Sequence, residues 1–410
     1  MGWSCEPPRP CHAGRVRRND IEGVGHLGGL LVGELAGWAE EHHRAVSGRA
    51  FRWMGPPASP VKALHDRLTG MTYRRVRTLG RLGGQALGSV LAPLAGGEPV
   101  SASPAGGQVV ATVDAVLGDR LEEAGNPLAL PMTLRSRQTD VPLDRASLSD
   151  AFPNATPRVV VFVHGLGETD LSWIGRDDAG RPWSYANALE SSGWTGALVR
   201  YNTGRRIAAN GASLATLLDE MVAAWPVEVA DLALVGHSMG GLVLRSACAT
   251  GIDGGHSWPA LVRSCVYLGS PHHGAPLEQG VSALAWLFSR LPETVAVASA
   301  LRLRSAGIQD LGRATLADAG QLGEEEQAEP EAGLLPSARH HLVAGRLGRT
   351  LFNPLAVIGD LMVGERSALG LGNRRVAALD PCERATFPGT HHYGLLKDRR
   401  VAEALVGWLG

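Results

Sequence analysis

An α/β fold with a mostly parallel central sheet is the fold class predicted by this sequence of 410 residues. Short runs rich in β-branched residues alternate with segments of helical spacing, a pattern typical of crossover units between parallel strands. One run, residues 159–163, is apolar throughout, as expected for a strand buried on both faces of a sheet. The predicted strands cover residues 159–163, 197–201, 232–235, 262–268 and 341–344.

Helices are predicted between and after these strands, and a further strand ahead of them. A strand-like piece at residues 128–135 would give the sheet an antiparallel start. Residues 276–336 have a broken helical pattern, and we expect them to form a lid inserted into the main domain. Their apolar stretch, residues 284–291, faces either the substrate or the core, and both interpretations stay open. The predicted helices cover residues 183–191, 212–225, 239–250 and 401–409.

The chain divides into three predicted segments. Residues 1–19 are expected to be irregular, residues 20–108 to form a helical extension with a linker, and residues 109–410 to form the main domain. Pro, Gly and Ser cluster at residues 93–107, as they do in linkers. The arginine-rich part of the extension, residues 73–94, packs either on its own domain or on an anionic membrane surface, and we favour the first.

Composition excludes several functions. The formal net charge of −1, from 39 basic and 40 acidic residues, supplies no field that would attract nucleic acid. The five cysteines are odd in number and widely spaced, so they do not indicate a disulfide framework. No stretch reaches about 18 consecutive apolar residues, and the first residues lack the pattern of a secretory signal. We expect a cytoplasmic protein, with peripheral membrane contact as the alternative.

A serine flanked by glycines lies between a predicted strand and a predicted helix. Residues 236–241 read GHSMGG and directly follow the apolar run at 232–235. A strained turn that presents a nucleophilic serine needs small residues two positions away on either side, here Gly236 and Gly240. Ser238 is therefore the predicted nucleophile. The alternative is a glycine-rich turn in which Ser238 only caps the helix.

Glycines also follow the first buried strand, where residues 164–167 read HGLG. The oxyanion that develops in acyl transfer needs preorganised N–H donors. One comes from the residue after the nucleophile and one from the loop after an earlier strand. The predicted donors of this oxyanion hole are the main-chain amides of Met239 and Leu166. The alternative is that His164 and the glycines only form a tight turn.

The acid and the base of such a triad follow the serine in the chain. Asp360 is the predicted acid, with Asp380 and Asp398 as its rivals. His392 is the predicted base, and its neighbour His391 is the rival. The base would accept the serine proton, and the acid would fix the tautomer of the base and stabilise the imidazolium.

Two further histidine pairs, His272 with His273 and His340 with His341, do not have the spacing of metal ligands. Side chains of adjacent residues point in different directions on a strand or turn, so the pairs are expected to hold loops by hydrogen bonds. The sequence thus predicts no metal site.

Several segments together resemble lipase-like α/β-hydrolases, in the branch that includes PGAP1-like proteins and bacterial lipases. The resemblance covers about residues 109–410 and implies the α/β-hydrolase fold and hydrolysis of carboxylic esters, often of acyl lipids, without an organic cofactor. It also implies that Asp360 is the acid and His392 the base, although Leu361 stands where lipase-like members more often have glycine. The segments that carry it are residues 162–167, 236–241, 268–274, 359–363 and 391–396.

The resulting hypothesis is a serine esterase or lipase that cleaves an apolar or lipid-like ester through an acyl-enzyme. The expected partner is a small-molecule or lipid ester, and not nucleic acid. An acyltransferase or thioesterase would use the same triad, because only the acceptor or the leaving group changes. A non-catalytic lipid-binding protein with a silent site is the alternative from another class.

Overall fold

The computed structural model describes residues 17–54, 59–91, 99–177, 179–272, 305–313, 334–347, 363–371 and 382–410. They fold into two compact units. The larger unit comprises Pro104–Asp119 and the described residues of Leu130–Gly410, and the smaller unit comprises residues 17–103 and Arg120–Ala129. The boundary predicted near residue 108 falls inside a helix, Pro104–Glu123, that contributes residues to both units.

The described strands belong to the larger unit. Two of them, Ile174–Arg176 and Pro182–Ser184, form a separate antiparallel pair, and the others form one sheet. In chain order the strands are β1 (Thr133–Ser136), β2 (Thr139–Val141), β3 (Arg158–Val163), β4 (Ile174–Arg176), β5 (Pro182–Ser184), β6 (Trp194–Arg200), β7 (Asp231–His237), β8 (Val262–Leu268), β9 (Arg339–Arg346) and β10 (Glu383–Pro388).

The main sheet has eight strands in the order β10-β9-β8-β7-β3-β6-β1-β2. Every neighbouring pair from β10 to β6 is parallel. β1 pairs antiparallel with both β6 and β2. The predicted fold class is confirmed, and so is the antiparallel start, which begins at Thr133. Strands β2, β4, β5 and β10 were not predicted.

Helices flank this sheet and form most of the smaller unit. The expected helical extension contains two long helices, α1 and α2. The predicted lid, residues 276–336, lies outside the described residues except for 305–313 and 334–336, and so does its apolar stretch at 284–291. The described helices are α1 (Arg18–Met54), α2 (Ser59–Leu91), α3 (Pro104–Glu123), α4 (Arg145–Ala151), α5 (Tyr185–Glu190), α6 (Ile207–Ala224), α7 (Met239–Asp253), α8 (Ala306–Arg313), α9 (Glu365–Ala368) and α10 (Arg399–Leu409).

Within the part of the chain that the structure describes, no helix is long and apolar enough to cross a membrane.

Strand β3 shows why one run of the sequence is apolar at every position. Its alternate residues Val159, Val161 and Val163 belong to one buried apolar cluster. Val160 and Phe162 belong to a second cluster. Successive side chains of a strand point to opposite faces, so β3 is buried on both faces of the sheet. This placement puts the loop after β3 at the centre of the sheet's carboxyl edge, next to the end of β7.

A close contact between α6 and α7 depends on Gly211. A Cβ atom at this position would lie 2.2 Å from the Oγ atom and 2.5 Å from the Cβ atom of Ser246. Both residues are buried, so neither helix can move aside without disturbing the packing against the sheet. The contact therefore fixes the position of α7, the helix that begins directly after Ser238.

We predict that Gly211→Ala lowers the free energy of unfolding by about 1–3 kcal/mol, because the added methyl group overpacks this contact. Gly407→Ala in α10 is the matched control, since a Cβ atom there has no neighbour within 4 Å. The control should leave stability unchanged or raise it by up to about 1 kcal/mol through helix propensity. Urea unfolding measures both variants, and equal effects would contradict the packing argument.

Candidate active site

Ser238 lies in the sharp turn between β7 and α7. Its φ of 52° and ψ of −122° are strained for a residue with a side chain, a conformation that costs about 1–3 kcal/mol. Its side chain makes no capping hydrogen bond to α7, so the alternative that Ser238 only caps the helix finds no support. The turn presents the serine at the carboxyl edge of the sheet, as a nucleophile elbow does.

Two glycines flank Ser238 because the backbone approaches other chain segments there. A Cβ atom at Gly236 would lie 2.6 Å from the Gly241 nitrogen. A Cβ atom at Gly240 would lie 2.3 Å from the Val163 carbonyl oxygen. The second contact holds the first turn of α7 against the end of β3, which brings the amide of Met239 to the loop after β3.

The two predicted oxyanion donors lie on segments that meet at Ser238. A Cβ atom on Gly165 would lie 3.0 Å from the Cβ atom of Ser238, so the loop that carries Leu166 passes beside the serine. Among the described residues, the amides of Leu166 and Met239 donate to no acceptor. Both N–H groups are therefore able to donate to an incoming oxyanion.

The loop after β3 is fixed on the side away from the serine. The amide of Gly167 donates to the Thr203 Oγ1 atom at 3.1 Å, and the Gly167 carbonyl accepts from the Gln108 side chain at 2.8 Å. His164 stacks on Tyr201 with ring centroids 4.5 Å apart. These contacts preorganise the loop, a condition for electrostatic stabilisation of a transition state.

The structure brings His392 to the same corner of the sheet as Ser238. The Ser238 amide donates to the Leu268 carbonyl at 2.8 Å. The next residue, Gly269, has a φ of 62°, and a Cβ atom there would lie 3.1 Å from both Nδ1 and Cε1 of His392. Two consecutive residues at the end of β8 thus contact both the serine and the histidine. His392 is buried, with 2% of its surface exposed.

The neighbouring histidine has a different environment. His391 is exposed, and its Nδ1 atom accepts a hydrogen bond from the Gly394 amide at 3.2 Å, which caps the 3₁₀ turn His392–Leu396. The Tyr185 hydroxyl holds the other end of this turn, because it donates to the Leu395 carbonyl at 2.6 Å. The geometry therefore favours His392 over His391 as the base.

Two of the three candidate acids, Asp360 and Asp380, lie outside the described residues. The third, Asp398, accepts hydrogen bonds at 2.6 Å from both the Thr390 hydroxyl and the Arg400 guanidinium. Burial alone would raise the pKa of Asp398, but these hydrogen bonds hold it below its usual range. Its carboxylate is thus engaged in its own turn, and Asp360 remains the predicted acid.

Sequence reasoning missed a buried ion pair directly behind the serine. The Nδ1 atom of His237 lies 2.9 Å from one carboxylate oxygen of Glu168. The other oxygen of Glu168 accepts from the Gly165 amide at 2.8 Å. The Nε2 atom of His237 lies 3.2 Å from the main-chain oxygen of His392. The pair therefore connects the loop of the predicted oxyanion hole with the turn of the predicted base.

Both ring nitrogens of His237 face groups that can only accept hydrogen bonds, the Glu168 carboxylate and the His392 carbonyl. Burial alone would raise the pKa of Glu168, but the charge of His237 and the hydrogen bonds from His237 and Gly165 hold it below its usual value. Both side chains of the pair are buried.

In the sequence, the signal for this pair is that each of its residues lies in or next to one of the two glycine-rich motifs. Glu168 directly follows the HGLG segment, and His237 lies inside GHSMGG. The two residues are 69 positions apart, so only the pairing of β3 with β7 shows that they meet.

His272 and His340, from the other two histidine pairs, make packing and hydrogen-bond contacts within the larger unit. His272 packs edge-on against Tyr267, with ring centroids 5.2 Å apart. His340 donates from Nε2 to the Leu335 carbonyl at 2.9 Å and accepts from the Tyr267 hydroxyl at 3.1 Å, and burial lowers its pKa. His273 lies outside the described residues. Within those that are described, no group of His, Cys, Asp or Glu side chains could hold a metal ion.

Comparisons with known proteins show which family model and which solved structures this chain resembles. Residues 212–306 match the model of the PGAP1-like alpha/beta domain family. No curated protein matches the sequence. The mature form of Bacillus licheniformis lipase BlEst2 is 19% identical, with a TM-score of 0.42 over 62% of this chain and 93% of that chain. Naproxen esterase from Bacillus subtilis is 14% identical, with a TM-score of 0.35 over 63% of this chain and 84% of that chain.

The sheet order and the strand–turn–helix site define the protein as an α/β-hydrolase in fold. Within this class, the match over residues 212–306 confirms, for that part of the chain, the resemblance to PGAP1-like domains.

The strain at Ser238 makes a prediction about stability. Ser238→Gly should be more stable than Ser238→Ala by about 1 kcal/mol, because only glycine relieves the strained backbone conformation. The control is exposed Ser149 inside α4, where glycine should be less stable than alanine by about 1 kcal/mol. Urea unfolding of the four variants measures whether glycine or alanine gives the more stable protein at each of the two positions. The same order at both positions would show that the turn is not strained.

The buried pair makes a prediction about pH. The pKa of Glu168 is lower in the folded state than in the unfolded state. The ionised carboxylate therefore stabilises the fold at pH values above the unfolded pKa of about 4.3. This contribution to the free energy of unfolding disappears as the pH falls through the folded pKa. Glu168→Gln should therefore lower the free energy of unfolding by about 1.5–3 kcal/mol at neutral pH and by progressively less in acid. A loss that does not change with pH would contradict the ionised pair.

Proposed function

We propose that this protein is a serine hydrolase that cleaves a carboxylic ester of an apolar or lipid-like substrate through an acyl-enzyme. The observation that carries the proposal is the strained Ser238 turn, which lies beside buried His392 and two amides without acceptors among the described residues. A serine that served only the fold would require neither the strain nor the open donors.

In the proposed reaction, the Ser238 oxygen attacks the acyl carbonyl carbon while His392 accepts the serine proton. The amides of Leu166 and Met239 donate to the oxygen that becomes negative, and each such donor supplies about 3 kcal/mol of transition-state stabilisation. His392 then gives the proton to the leaving alcohol. Water attacks the acyl-enzyme in the second half of the reaction, with His392 again as the base, and releases the acid.

Asp360 is the proposed partner of His392, and this assignment rests on the sequence. The carboxylate would accept from the imidazole and stabilise the imidazolium that forms at each proton transfer. The pair of His237 and Glu168 has a positioning role in the proposal, because it contacts the main chain of His392 and of the oxyanion loop.

The preference for an apolar substrate follows from charge. The whole chain has a formal net charge of −1, so it supplies no net field that would steer phosphate esters or other strongly charged substrates to the site.

A fluorophosphonate probe and a panel of p-nitrophenyl acyl esters test the proposal. We expect the wild-type protein to be labelled and to hydrolyse esters, and Ser238→Ala to abolish both activities. His392→Gln should reduce kcat/KM by at least about 1,000-fold, because the serine loses its general base. The matched control is His391→Asn, which keeps a side chain able to cap the 3₁₀ turn and should retain most of the activity.

The outcomes separate the proposal from its alternatives. No labelling of folded wild-type protein would favour a lipid-binding protein with a silent site. Labelling without hydrolysis of any ester, but with acyl transfer to an added alcohol or thiol, would favour an acyltransferase. Labelling that survives Ser238→Ala would show that another residue is the nucleophile.

A further inference from the structure

The smaller unit contains a helix pair whose contact surface is made of glycines. A Cβ atom at Gly25 of α1 would lie 2.3 Å from the Gly84 carbonyl oxygen of α2, and one at Gly84 would lie 2.2 Å from the Gly25 carbonyl oxygen. A Cβ atom at Gly29 would lie 2.9 Å from the Arg81 Cα atom. Small residues at four-residue spacing allow such close approach of helix backbones. The contact between α1 and α2 therefore leaves the larger apolar side chains of α2 outside it.

These large side chains form an exposed face along α2. At about 100° per residue they fall within an arc of about 140°, and they extend over about 39 Å of the helix. Soluble proteins rarely expose an apolar strip of this length unless it has a partner. The residues are Val61, Leu64, Leu68, Val76, Leu79, Leu82 and Leu87, which are between 41% and 68% exposed.

Positive charge accompanies this face. Helix α2 contains six Lys or Arg residues and one Asp residue, a formal net charge of +5, whereas the whole chain has −1. Arg67, Arg74 and Arg81 recur every seven residues and form a stripe on the polar side of α2, about 60–100° beyond the edge of the apolar face and between that edge and the side that contacts α1. All three are exposed, and none forms a salt bridge within the described part of the chain.

The combination favours one kind of partner. A second copy of the same face would bring two helices of charge +5 together, which is unfavourable. An anionic lipid surface instead offers negative headgroups to the arginines and an apolar layer to the leucines. We infer that the α2 face docks on the surface of membranes that contain anionic lipids.

This inference is independent of the proposed hydrolase activity. Binding is measured without turnover, by co-sedimentation of the full chain carrying Ser238→Ala with lipid vesicles. We expect binding to vesicles of phosphatidylcholine with about one-third phosphatidylserine, and much weaker binding to phosphatidylcholine alone. Added salt should weaken the binding, because it screens the arginines.

Two sets of variants test which residues carry the binding. Combined Arg67→Gln, Arg74→Gln and Arg81→Gln should reduce the affinity for the anionic vesicles about 100-fold. The matched control combines the same change at exposed Arg176, Arg339 and Arg366 of the larger unit, with an equal change in net charge. This control should retain most of the affinity.

The second set tests the apolar contact. Leu64→Glu with Leu79→Glu should reduce the affinity at least about 100-fold, because two leucines no longer enter the apolar layer. Ile252→Glu with Leu371→Glu, at exposed positions of the larger unit, is the matched control and should bind like the parent. Helix content from circular dichroism confirms that each variant is folded.

Three results would overturn the inference. The first is a folded protein that binds neither kind of vesicle. The second is equal loss of binding in the α2 variants and in their controls. The third is a dimer in solution that dissociates on Leu64→Glu with Leu79→Glu, without vesicle binding by the parent, because the partner of the face would then be a second copy.

Discussion

The close backbone contacts around Ser238 are the constraint on which the site depends. The strained φ of 52° persists because the Ser238 amide is bonded to the Leu268 carbonyl and because Gly240 lies against the end of β3. These contacts involve three neighbouring strands, β3, β7 and β8, whose carboxyl ends meet at one edge of the sheet. Strain in one turn is thus held by the packing of the whole sheet centre.

The pair of Glu168 and His237 gives the same edge its electrostatic character. Burying polar groups is costly unless they are partnered, and each carboxylate oxygen of Glu168 and each ring nitrogen of His237 has a hydrogen-bond partner. The pair also joins two segments that carry different parts of the proposed chemistry. A change in either residue is therefore expected to affect both the oxyanion loop and the position of His392.

Glycine has two different roles in the two units. At Gly236 and Gly240 the absence of a side chain permits the sharp turn that carries Ser238. At Gly25 and Gly84 it permits two helices to touch through their backbones, so that the leucines of α2 are exposed outside their contact. In the first case glycine builds a candidate reaction site, and in the second it leaves a surface that needs a partner.

The local pattern of the sequence was sufficient for the fold class and for the nucleophile motif. Buried parallel strands such as β3 are apolar at every position, and the GHSMGG segment follows such a strand directly, so both signals are contiguous in the chain. Strand β10 was missed because its residues are exposed or half-buried and lack an apolar run. Strands β2, β4 and β5 have three residues each, too few to show periodicity.

The sequence by itself determined the alternation of strands and helices and the identity of the strained serine, because these depend on neighbouring residues. Tertiary structure decided the different environments of His392 and His391, since the two are adjacent in sequence and differ in what packs against them. It alone revealed the pairing of Glu168 with His237, because the sheet order brings distant residues together. Exposure of the α2 leucines was likewise decided by packing, because periodicity shows that a helix has an apolar face but not whether that face is covered.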